Sequence, residues 1–309
     1  MVNGSTKGYL CVAAAALMWA SSGTAGRALF EAGITPQDLV QMRVTFASLI
    51  LAAAFAVSAR RMFRIELKDL GFFVLLGGVG MALVQITYFY TISKIQVMAA
   101  ILLQYLSPIM VAVYAVLFWG ERPTAAKIVA LVMALCGCYL VVGGYNMELL
   151  RMNRLGILGG LAGAITFSVY ALLGERVMQK YPPWTVVFYA MLFAGVTWNV
   201  IHPPFRYLSA SYTANQWMWI LYIVVVGTVL PFSLFFVGVN YVRSTRATIT
   251  ATLEPISAGF MAWIALGETL DVPQVLGAAL VVVAIVVLQL QHEHDPLAPE
   301  VVRSQQASQ

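Results

Sequence analysis

The sequence predicts an all-α integral membrane protein of ten transmembrane helices, arranged as two inverted five-helix repeats around a central cavity. Three observations lead to this fold class: the composition, the number of long apolar segments and an internal duplication. Of the 309 residues, 61% are hydrophobic and only 10% are charged, whereas soluble domains carry about 25% charged residues. A chain with so few charges cannot cover a water-facing surface, so we expect a polytopic membrane protein.

Long apolar segments occur ten times along the chain. A helix that crosses a bilayer needs about 20 predominantly apolar residues. The first segment is too long for the apolar part of a cleavable signal peptide. The polar residues 292–309 are expected to form a disordered cytoplasmic tail. The expected membrane spans cover residues 8–28, 37–59, 70–91, 97–119, 127–145, 155–174, 183–201, 217–238, 247–266 and 273–291.

The internal duplication is clearest in two proline-containing segments, residues 99–121 and 246–268. A constant offset of 147 positions aligns them without a gap and superimposes Pro108 on Pro255. Each segment also ends in a Gly-Glu pair. Where the first segment has a serine before its proline, the second has Glu254.

The duplication divides the chain into a first repeat, residues 1–146, and a second repeat, residues 147–291. Each repeat holds five predicted helices. Because five is an odd number, the second repeat must cross the membrane in the opposite sense to the first. Inverted repeats of this kind are a common architecture of secondary transporters, with the binding site near the membrane midplane.

The charged residues indicate an orientation. The net charge is +5, but the cations stand in short clusters between apolar segments, where they set topology and do not indicate a nucleic-acid partner. Twelve of the eighteen Lys and Arg residues fall on one side of the predicted helices. This group includes Arg243 and Arg246, which we place in a loop after the eighth helix. The positive-inside rule then puts both termini in the cytoplasm.

Residues for catalysis or metal binding are not evident. The three cysteines lie in apolar segments, and the three histidines lie in a loop or in the tail. This pattern predicts neither a disulfide framework nor a metal site, and we expect no cofactor. A membrane-embedded enzyme would need paired acids, a histidine cluster or a nucleophile with its base. We therefore expect that the protein is not an enzyme.

Two charged residues inside predicted helices are the first candidates for a functional site, because a charge within lipid is costly and usually faces a cavity or a partner. Glu254 could bind a substrate amine or carry a coupled proton; equally, it could be a structural acid beside Pro255. Arg43 could pair with a substrate carboxylate; alternatively, it ties helix ends together or extends to the interface. A direct pair between Arg43 and Glu254 stays open but is not obvious, because their predicted depths leave ~10 Å of vertical gap between the two backbones.

Polar and aromatic residues near the middle of predicted helices are further candidates for the cavity wall. Each of them alone is more typical of helix packing or of the aromatic belt at the membrane interface than of ligand contact. Together they suggest an organic, partly apolar solute rather than a bare ion. Three prolines are expected to kink their helices and free a backbone carbonyl. The wall candidates are Trp19, Ser22, Gln85, Tyr88, Gln104, Tyr105, Ser107, Tyr170, Asn240 and Trp263, and the kinks are at Pro108, Pro231 and Pro255.

These features together resemble the drug/metabolite transporter superfamily, specifically its EamA-type members with two five-helix domains. The resemblance is carried by Arg43, by LLQYLSPIMVAVYAVLFWGE ending at Glu121 and by TLEPISAGFMAWIALGE ending at Glu268. Glu254 and Pro255 match the motif of the ninth helix. The fourth helix carries Ser107 rather than an acid, so the resemblance does not imply a mechanism with two carboxylates.

The resemblance implies a basket of ten helices around a central cavity, in a multi-pass protein of the bacterial inner membrane. It implies a secondary transporter that exports a small organic solute, an amino acid or a related metabolite, by alternating access. Its partners would be this solute and the lipid bilayer, with the chain acting as a monomer or weak homodimer. The alternatives are a drug or amine efflux transporter, and a non-transporting membrane sensor or scaffold with the same fold.

Overall fold

The structure is a computed structural model that describes residues 4–95, 97–120, 124–141, 145, 154–203, 207, 211–266 and 272–289. Helices make up most of this part of the chain, and no β-strand occurs in it. The helices are α1 Gly4–Glu31, α2 Pro36–Ser58, α3 Leu67–Lys94, α4 Val97–Gln104, α5 Ser107–Trp119, α6 Ala125–Val141, α7 Arg154–Val177, α8 Pro183–Ile201, α9 Ala214–Thr250, α10 Leu253–Leu266 and α11 Val272–Gln289.

The all-α membrane class predicted from composition is confirmed. Among the described residues, six helices are long and apolar enough to cross a membrane, namely α1, α2, α3, α7, α8 and α9. Shorter apolar helices are found within α5, α6 and α11. Helices α4 and α5 together cover the fourth predicted span. Many large apolar side chains on these helices are exposed on the outside of the bundle, as lipid contact requires.

At two of the predicted proline kinks the regular helical hydrogen bonding is interrupted. The interruptions lie at residues 105–106, before α5, and at residues 251–252, before α10. Leu106 and Ala251 keep right-handed φ and ψ values there, and shorter turn bonds such as that from the Leu106 amide to the Leu103 carbonyl replace part of the helical pattern. Pro108 and Pro255 then lie in the first turn of the new helix, where a missing N–H costs little. Pro231 follows a π-helical segment, Val225–Val229, within α9. Helix α3 contains a π-helical segment, Leu75–Met81, at a similar position under the 147-residue offset.

The helices pack in an antiparallel pattern that is repeated along the chain. Gly8 of α1 lies against Tyr241 of α9, while Ser22 further along α1 lies against Gly227. Helix α7 contacts α3 in the same way: Gly156 lies against Ile95, and the next turn of α7 meets the preceding turn of α3. Glycine at these contacts removes the side chain that would hold the helices apart.

Contacts at the two ends of helices α2 and α8 show how these helices are oriented relative to each other. The Asp38 carboxylate lies 2.9 Å from Nε2 of His202 at one end of the pair. At the other end, the rings of Phe55 and Phe188 are 5.6 Å apart. The two helices, which are the second members of the predicted repeats, therefore run in opposite directions.

The structure has no loop where one was expected after the eighth predicted helix; a single non-helical residue within α9 stands there instead. Helix α9 continues past residue 238 and is interrupted only at Arg243, whose φ of 70° and ψ of 163° are not helical. Arg243 and Arg246 are buried rather than exposed in a loop, which corrects their place in the charge count. The physical reason is Glu175, a fully buried residue whose carboxylate accepts hydrogen bonds from Nε of Arg243 at 2.9 Å and from the Ser244 amide at 2.6 Å.

Candidate functional site

A cavity lies where both proline-containing segments meet α1, α2, α3, α7 and α9. Its wall contains one cation, one carboxyl group, two phenols, two amides and a group of apolar side chains. The lining residues are Trp19, Ser22, Arg43, Val84, Gln85, Tyr88, Gln104, Tyr105, Ser107, Phe167, Phe232, Ala251 and Glu254.

The cavity brings together nine of the twelve residues proposed for it from the sequence: Trp19, Ser22, Arg43, Gln85, Tyr88, Gln104, Tyr105, Ser107 and Glu254. Tyr170 does not line it; its ring is buried and stacks on Phe236 at 4.7 Å. Asn240 lies elsewhere on α9. The side chain of Trp263 is outside the described part of the structure, as are Glu121, Gly267 and Glu268 at the ends of the two motifs. Substrate contact by any of these residues stays a prediction.

Glu254 stands in the first turn of α10, directly after the break in the chain, and is 4% exposed. The Tyr88 hydroxyl donates to its Oε1 at 3.2 Å, and the Tyr105 hydroxyl lies 3.0 Å from its Oε2. The Tyr105 hydroxyl also lies 2.6 Å from the Ala251 carbonyl oxygen. Because a phenol has one proton, it can donate to only one of these oxygens at a time. Glu254 is thus placed to exchange a proton or to bind a cation.

Arg43 is 2% exposed and is held by neutral groups. Its Nε donates to Thr228 Oγ1 at 2.8 Å, and its Nη2 donates to the Gly227 carbonyl at 2.8 Å. The guanidinium carbon lies 4.5 Å from the centre of the Phe89 ring, a cation–π contact. In the part of the chain that the structure describes, no carboxylate forms an ion pair with Arg43, and the direct Arg43–Glu254 pair that the sequence left open is not formed.

A proline explains why the Gly227 carbonyl is free to accept from Arg43. A proline leaves the carbonyl four residues before it without its helical donor. For Pro231 this carbonyl is that of Gly227, which receives Arg43. Ala251 stands at the same distance before Pro255, but its carbonyl accepts from the Glu254 amide at 2.9 Å and also lies 2.6 Å from the Tyr105 hydroxyl. The predicted kink at Pro231 therefore accounts for the carbonyl that holds Arg43.

The apolar side of the cavity is aromatic. The Trp19 ring is 6.0 Å from the ring of Phe167 and 5.0 Å from that of Phe232, both in edge-on geometry. The ring of Phe235, which does not line the cavity, also packs against Trp19, with the ring centres 5.5 Å apart. The cavity thus offers an aromatic, apolar surface made of tilted rings, together with separate positive and acidic groups.

Several pairs of equivalent positions in the two predicted repeats line the cavity together. Under the 147-residue offset, Gln85 corresponds to Phe232, Gln104 to Ala251 and Ser107 to Glu254. At an offset of 148, Trp19 corresponds to Phe167. All eight residues line the same space, yet the members of each pair differ in chemistry. Both predicted repeats therefore contribute equivalent positions to the cavity wall, but the two contributions are chemically different.

Sequence reasoning missed several residues of this region. Phe232 and Ala251 line the cavity and could have been found by applying the offset to Gln85 and Gln104. Gly227 could have been found by counting four residues back from Pro231. Nothing in the sequence marked Glu175 as buried, because it lies one residue beyond the predicted end of the sixth helix. Among the described residues, no group of His, Cys, Asp or Glu is arranged to hold a metal ion.

Comparison with known proteins agrees with the described architecture. Against a transporter from Salmonella typhimurium, YicL, described as an uncharacterized inner membrane transporter, the chain is 30% identical over 294 residues, covering 93% of this chain and 97% of the relative. Against the threonine/homoserine exporter RhtA of Escherichia coli it is 24% identical over 246 residues, covering 79% and 78% of the two chains. A solved crystal structure superimposes with a TM-score of 0.74 at 18% identity, covering 92% of this chain and 98% of that one, which supports the fold.

The family model for EamA-like transporters matches the chain twice, at residues 6–143 and at residues 154–290. The two matches together cover most of the sequence and are separated near the middle of the chain. The resemblance drawn from the proline-containing motifs is therefore confirmed, and the protein is a multi-pass membrane protein with transporters as relatives. The chain belongs to the EamA-like transporter family.

Proposed function

We propose that this protein is a secondary transporter that exports a small amino acid, or a closely related zwitterion, across the inner membrane by alternating access. The observation that carries this proposal is the pair Arg43 and Glu254. Both are buried, both line one cavity, and neither is paired with the other. A zwitterion offers a negative and a positive group that complement the two.

Arg43 is the proposed site for the carboxylate. A buried cation is costly unless it is compensated, and its partners Gly227 and Thr228 are neutral. Those contacts use Nε and Nη2, and Nη1 makes no hydrogen bond to a described residue. Guanidinium binds a carboxylate through charge-assisted hydrogen bonds, so an arriving carboxylate supplies the compensation that the neutral groups do not.

Glu254 is the proposed site for the ammonium group. Its carboxylate and the hydroxyls of Tyr88 and Tyr105 form a compact group of oxygens around one point of the wall. An ammonium group has three donors to distribute among such oxygens. The aromatic surface made by Trp19, Phe167 and Phe232 then takes the apolar part of the side chain. The exporter RhtA, whose name gives threonine and homoserine as its solutes, supports an amino acid as the substrate class.

The transport cycle is proposed to be a rocking of two inverted halves, residues 1–146 and 147–291, about this cavity, with both termini in the cytoplasm. The opposite directions of α2 and α8 support the inversion. The two interrupted segments before α5 and α10 support it further, because broken helices at equivalent positions are typical of transporter sites.

A second candidate is efflux of organic amines. An acidic residue with two phenols beside an aromatic surface also suits a cation that has no carboxylate. In that case Arg43 has only a structural role. The two candidates differ in whether the substrate needs a carboxylate, and this difference can be measured.

The test is a flux assay in proteoliposomes that compares an amino acid with its methyl ester, which keeps the ammonium group and lacks the carboxylate. We expect the wild-type protein to move the amino acid and discriminate against the ester. Arg43→Gln should reduce amino acid flux by about 10- to 100-fold, the effect of losing a hydrogen bond to a charged group. Arg60→Gln, a change on the exposed surface, serves as the control.

The outcomes separate the candidates. If the ester is moved as well as the amino acid and Arg43→Gln leaves both unchanged, the protein is an amine transporter. If neither a panel of amino acids nor a panel of amines is moved, the fold serves a sensor or scaffold, and the transport proposal is wrong for this chain.

A further inference from the structure

Two polar groups at the aromatic side of the cavity have no hydrogen-bond partner within the described protein. They are Nε1 of Trp19 and Oγ of Ser22. The two residues are 8% and 2% exposed, lie one turn apart on α1 and both line the cavity. Buried polar groups in proteins are nearly always paired, so an unpaired group of this kind calls for an explanation.

Ser22 differs from the hydroxyl residues around it. A serine or threonine in a helix commonly donates to a carbonyl three or four residues earlier. Ser21 does so to Met18 at 2.8 Å, and Thr24 does so to Ala20 at 3.4 Å. The Ser22 hydroxyl makes no such bond. It lies instead against Gly227, the residue whose carbonyl holds Arg43.

Trp19 shows the same contrast with another buried tryptophan. Nε1 of Trp198 donates to the Ala82 carbonyl at 3.2 Å. Trp19 is surrounded by the rings of Phe167, Phe232 and Phe235, which offer no oxygen. An indole N–H can only donate, so the group that satisfies Trp19 must be an acceptor brought into the cavity.

We propose that the transported amino acid carries a hydroxyl group on its side chain, and that Trp19 and Ser22 bind this hydroxyl. The inference rests on the proposed function, since it places the carboxylate at Arg43. A hydroxyl accepts from the indole N–H while it donates to, or accepts from, the serine. A charged side chain does not suit this position, because the surrounding rings offer no opposite charge. Ser22 packs against Gly227, the residue whose carbonyl holds Arg43, and this proximity favours a short side chain.

The experiment uses pairs of amino acids with nearly the same shape that differ in a hydroxyl: threonine with valine, and homoserine with norvaline. Flux of each is measured in proteoliposomes for the wild-type protein and for Trp19→Phe and Ser22→Ala. Trp198→Phe and Ser48→Ala are matched controls, because they remove an indole N–H and a hydroxyl that are bonded within the protein and lie away from the cavity.

We expect the wild-type protein to favour the hydroxyl member of each pair by about tenfold or more, because the apolar member leaves a buried donor unpaired. Trp19→Phe and Ser22→Ala should each reduce this ratio toward one by lowering flux of the hydroxyl member, while the controls keep it.

Equal flux of both members in the wild type overturns this inference and leaves the proposed amino acid transport intact. A ratio that persists in both variants also overturns it, since the hydroxyl would then be bound elsewhere. A preference for asparagine over threonine replaces the hydroxyl by an amide and equally contradicts the inference. Absence of flux for every amino acid contradicts the proposed function itself.

Discussion

The hydroxyl of Tyr105 lies 2.6 Å from the carbonyl oxygen of Ala251, so the two interruptions of the proline-containing segments are in direct contact. Tyr105 is the first residue of the interruption before α5, and Ala251 is the first residue of the interruption before α10. The same hydroxyl lies 3.0 Å from Glu254. A single phenol therefore connects both broken helices to the acidic residue of the cavity.

Tyr105→Phe removes this connection without changing the shape of the ring. The Ala251 carbonyl and Glu254 then lose a buried donor, which we expect to cost about 1–3 kcal/mol of stability. Thermal unfolding of the purified protein in detergent measures the loss. Tyr139→Phe, which alters an exposed tyrosine, should leave the melting temperature unchanged. Equal melting temperatures for both variants would show that the Tyr105 bond is not stabilising.

Glu254→Gln tests whether the acid of the cavity carries a proton. Glutamine keeps the size of the side chain and cannot gain or lose a proton. We expect flux of the amino acid to lose its dependence on pH in this variant. The measurement is flux over a series of pH values on one side of the liposome membrane, with the exposed Glu31→Gln as the control. Unchanged pH dependence in Glu254→Gln would refute the proton role.

Gly227→Ala and Gly80→Ala form a matched pair, because the residues are 147 positions apart and lie in the two π-helical segments. A Cβ on Gly227 would overlap the Ser22 side chain, whereas the nearest atom to a Cβ on Gly80 is 3.6 Å away. We expect Gly227→Ala to cost about 1–3 kcal/mol through overpacking and Gly80→Ala to be tolerated.

Denaturation midpoints in mild detergent, together with flux, measure the difference between the two glycine variants. We expect added volume to be tolerated less well at the contact between α1 and α9, where Gly227 lies, than at the position of Gly80. A larger loss in Gly80→Ala than in Gly227→Ala would contradict the packing described for these helices.

Glu175 and Arg27 are 148 positions apart in the sequence. Each forms hydrogen bonds to a segment where a helix is interrupted or ends. Glu175 receives the Ser244 amide and Arg243, whereas Arg27 donates to the Ile92 carbonyl at 2.9 Å. Glu175 is fully buried, and the Arg27 side chain is 40% exposed. Glu175→Gln should therefore destabilise the protein by about 3–5 kcal/mol, because it leaves a buried charge without compensation.

Arg27→Gln, in contrast, should cost no more than about 1 kcal/mol, as for other solvent-screened ion pairs. Thermal unfolding of the two variants under the same conditions compares them directly. Similar losses would show that the Glu175–Arg243 pair contributes no more than an exposed pair does.

A group of charges outside the membrane predicts a pH dependence of stability. Lys180 lies 2.6 Å from Asp69 and 2.5 Å from Glu66. Hydrogen bonds from Lys180 lower the pKa of both carboxyl groups, and the bond to Asp69 raises the pKa of Lys180. The stabilisation that the two carboxylates contribute is fully present above their ordinary pKa values and is lost as pH falls through the lowered values. The stabilisation that Lys180 contributes is fully present below its ordinary pKa and is lost in strong alkali.

We expect Lys180→Met to lower the melting temperature slightly at neutral pH, with a difference from wild type that begins to shrink below about pH 4, near the ordinary carboxyl pKa values. The difference should disappear only at still lower pH, once the lowered pKa values of Glu66 and Asp69 have been passed. The difference should also shrink in high salt, because these groups are exposed to solvent. Arg61→Met, on the same exposed stretch, is the control. A difference that stays constant from neutral to acidic pH would show that packing, and not charge, is responsible.

The class of the protein and much of its cavity could be predicted from the sequence. Long apolar segments specify membrane helices because the bilayer sets both their length and their polarity. Polar side chains such as Gln85 and Tyr88 were recognisable because a hydrogen-bonding group inside a membrane helix requires a partner or a cavity. The offset between Pro108 and Pro255 pointed to the two segments that meet at the site.

Only the tertiary structure decided which side of each helix faces the cavity and which residues satisfy each other. Tyr170 and Asn240 resemble cavity residues in sequence, but helix packing directs them elsewhere. The partners of Arg43 lie 184 and 185 positions away, and Glu175 is buried by a break in a helix far along the chain. The apolar character of a segment predicts that it lies in the membrane. Contacts between helices that are distant in sequence depend instead on how their surfaces fit, and no local sequence pattern specifies that fit.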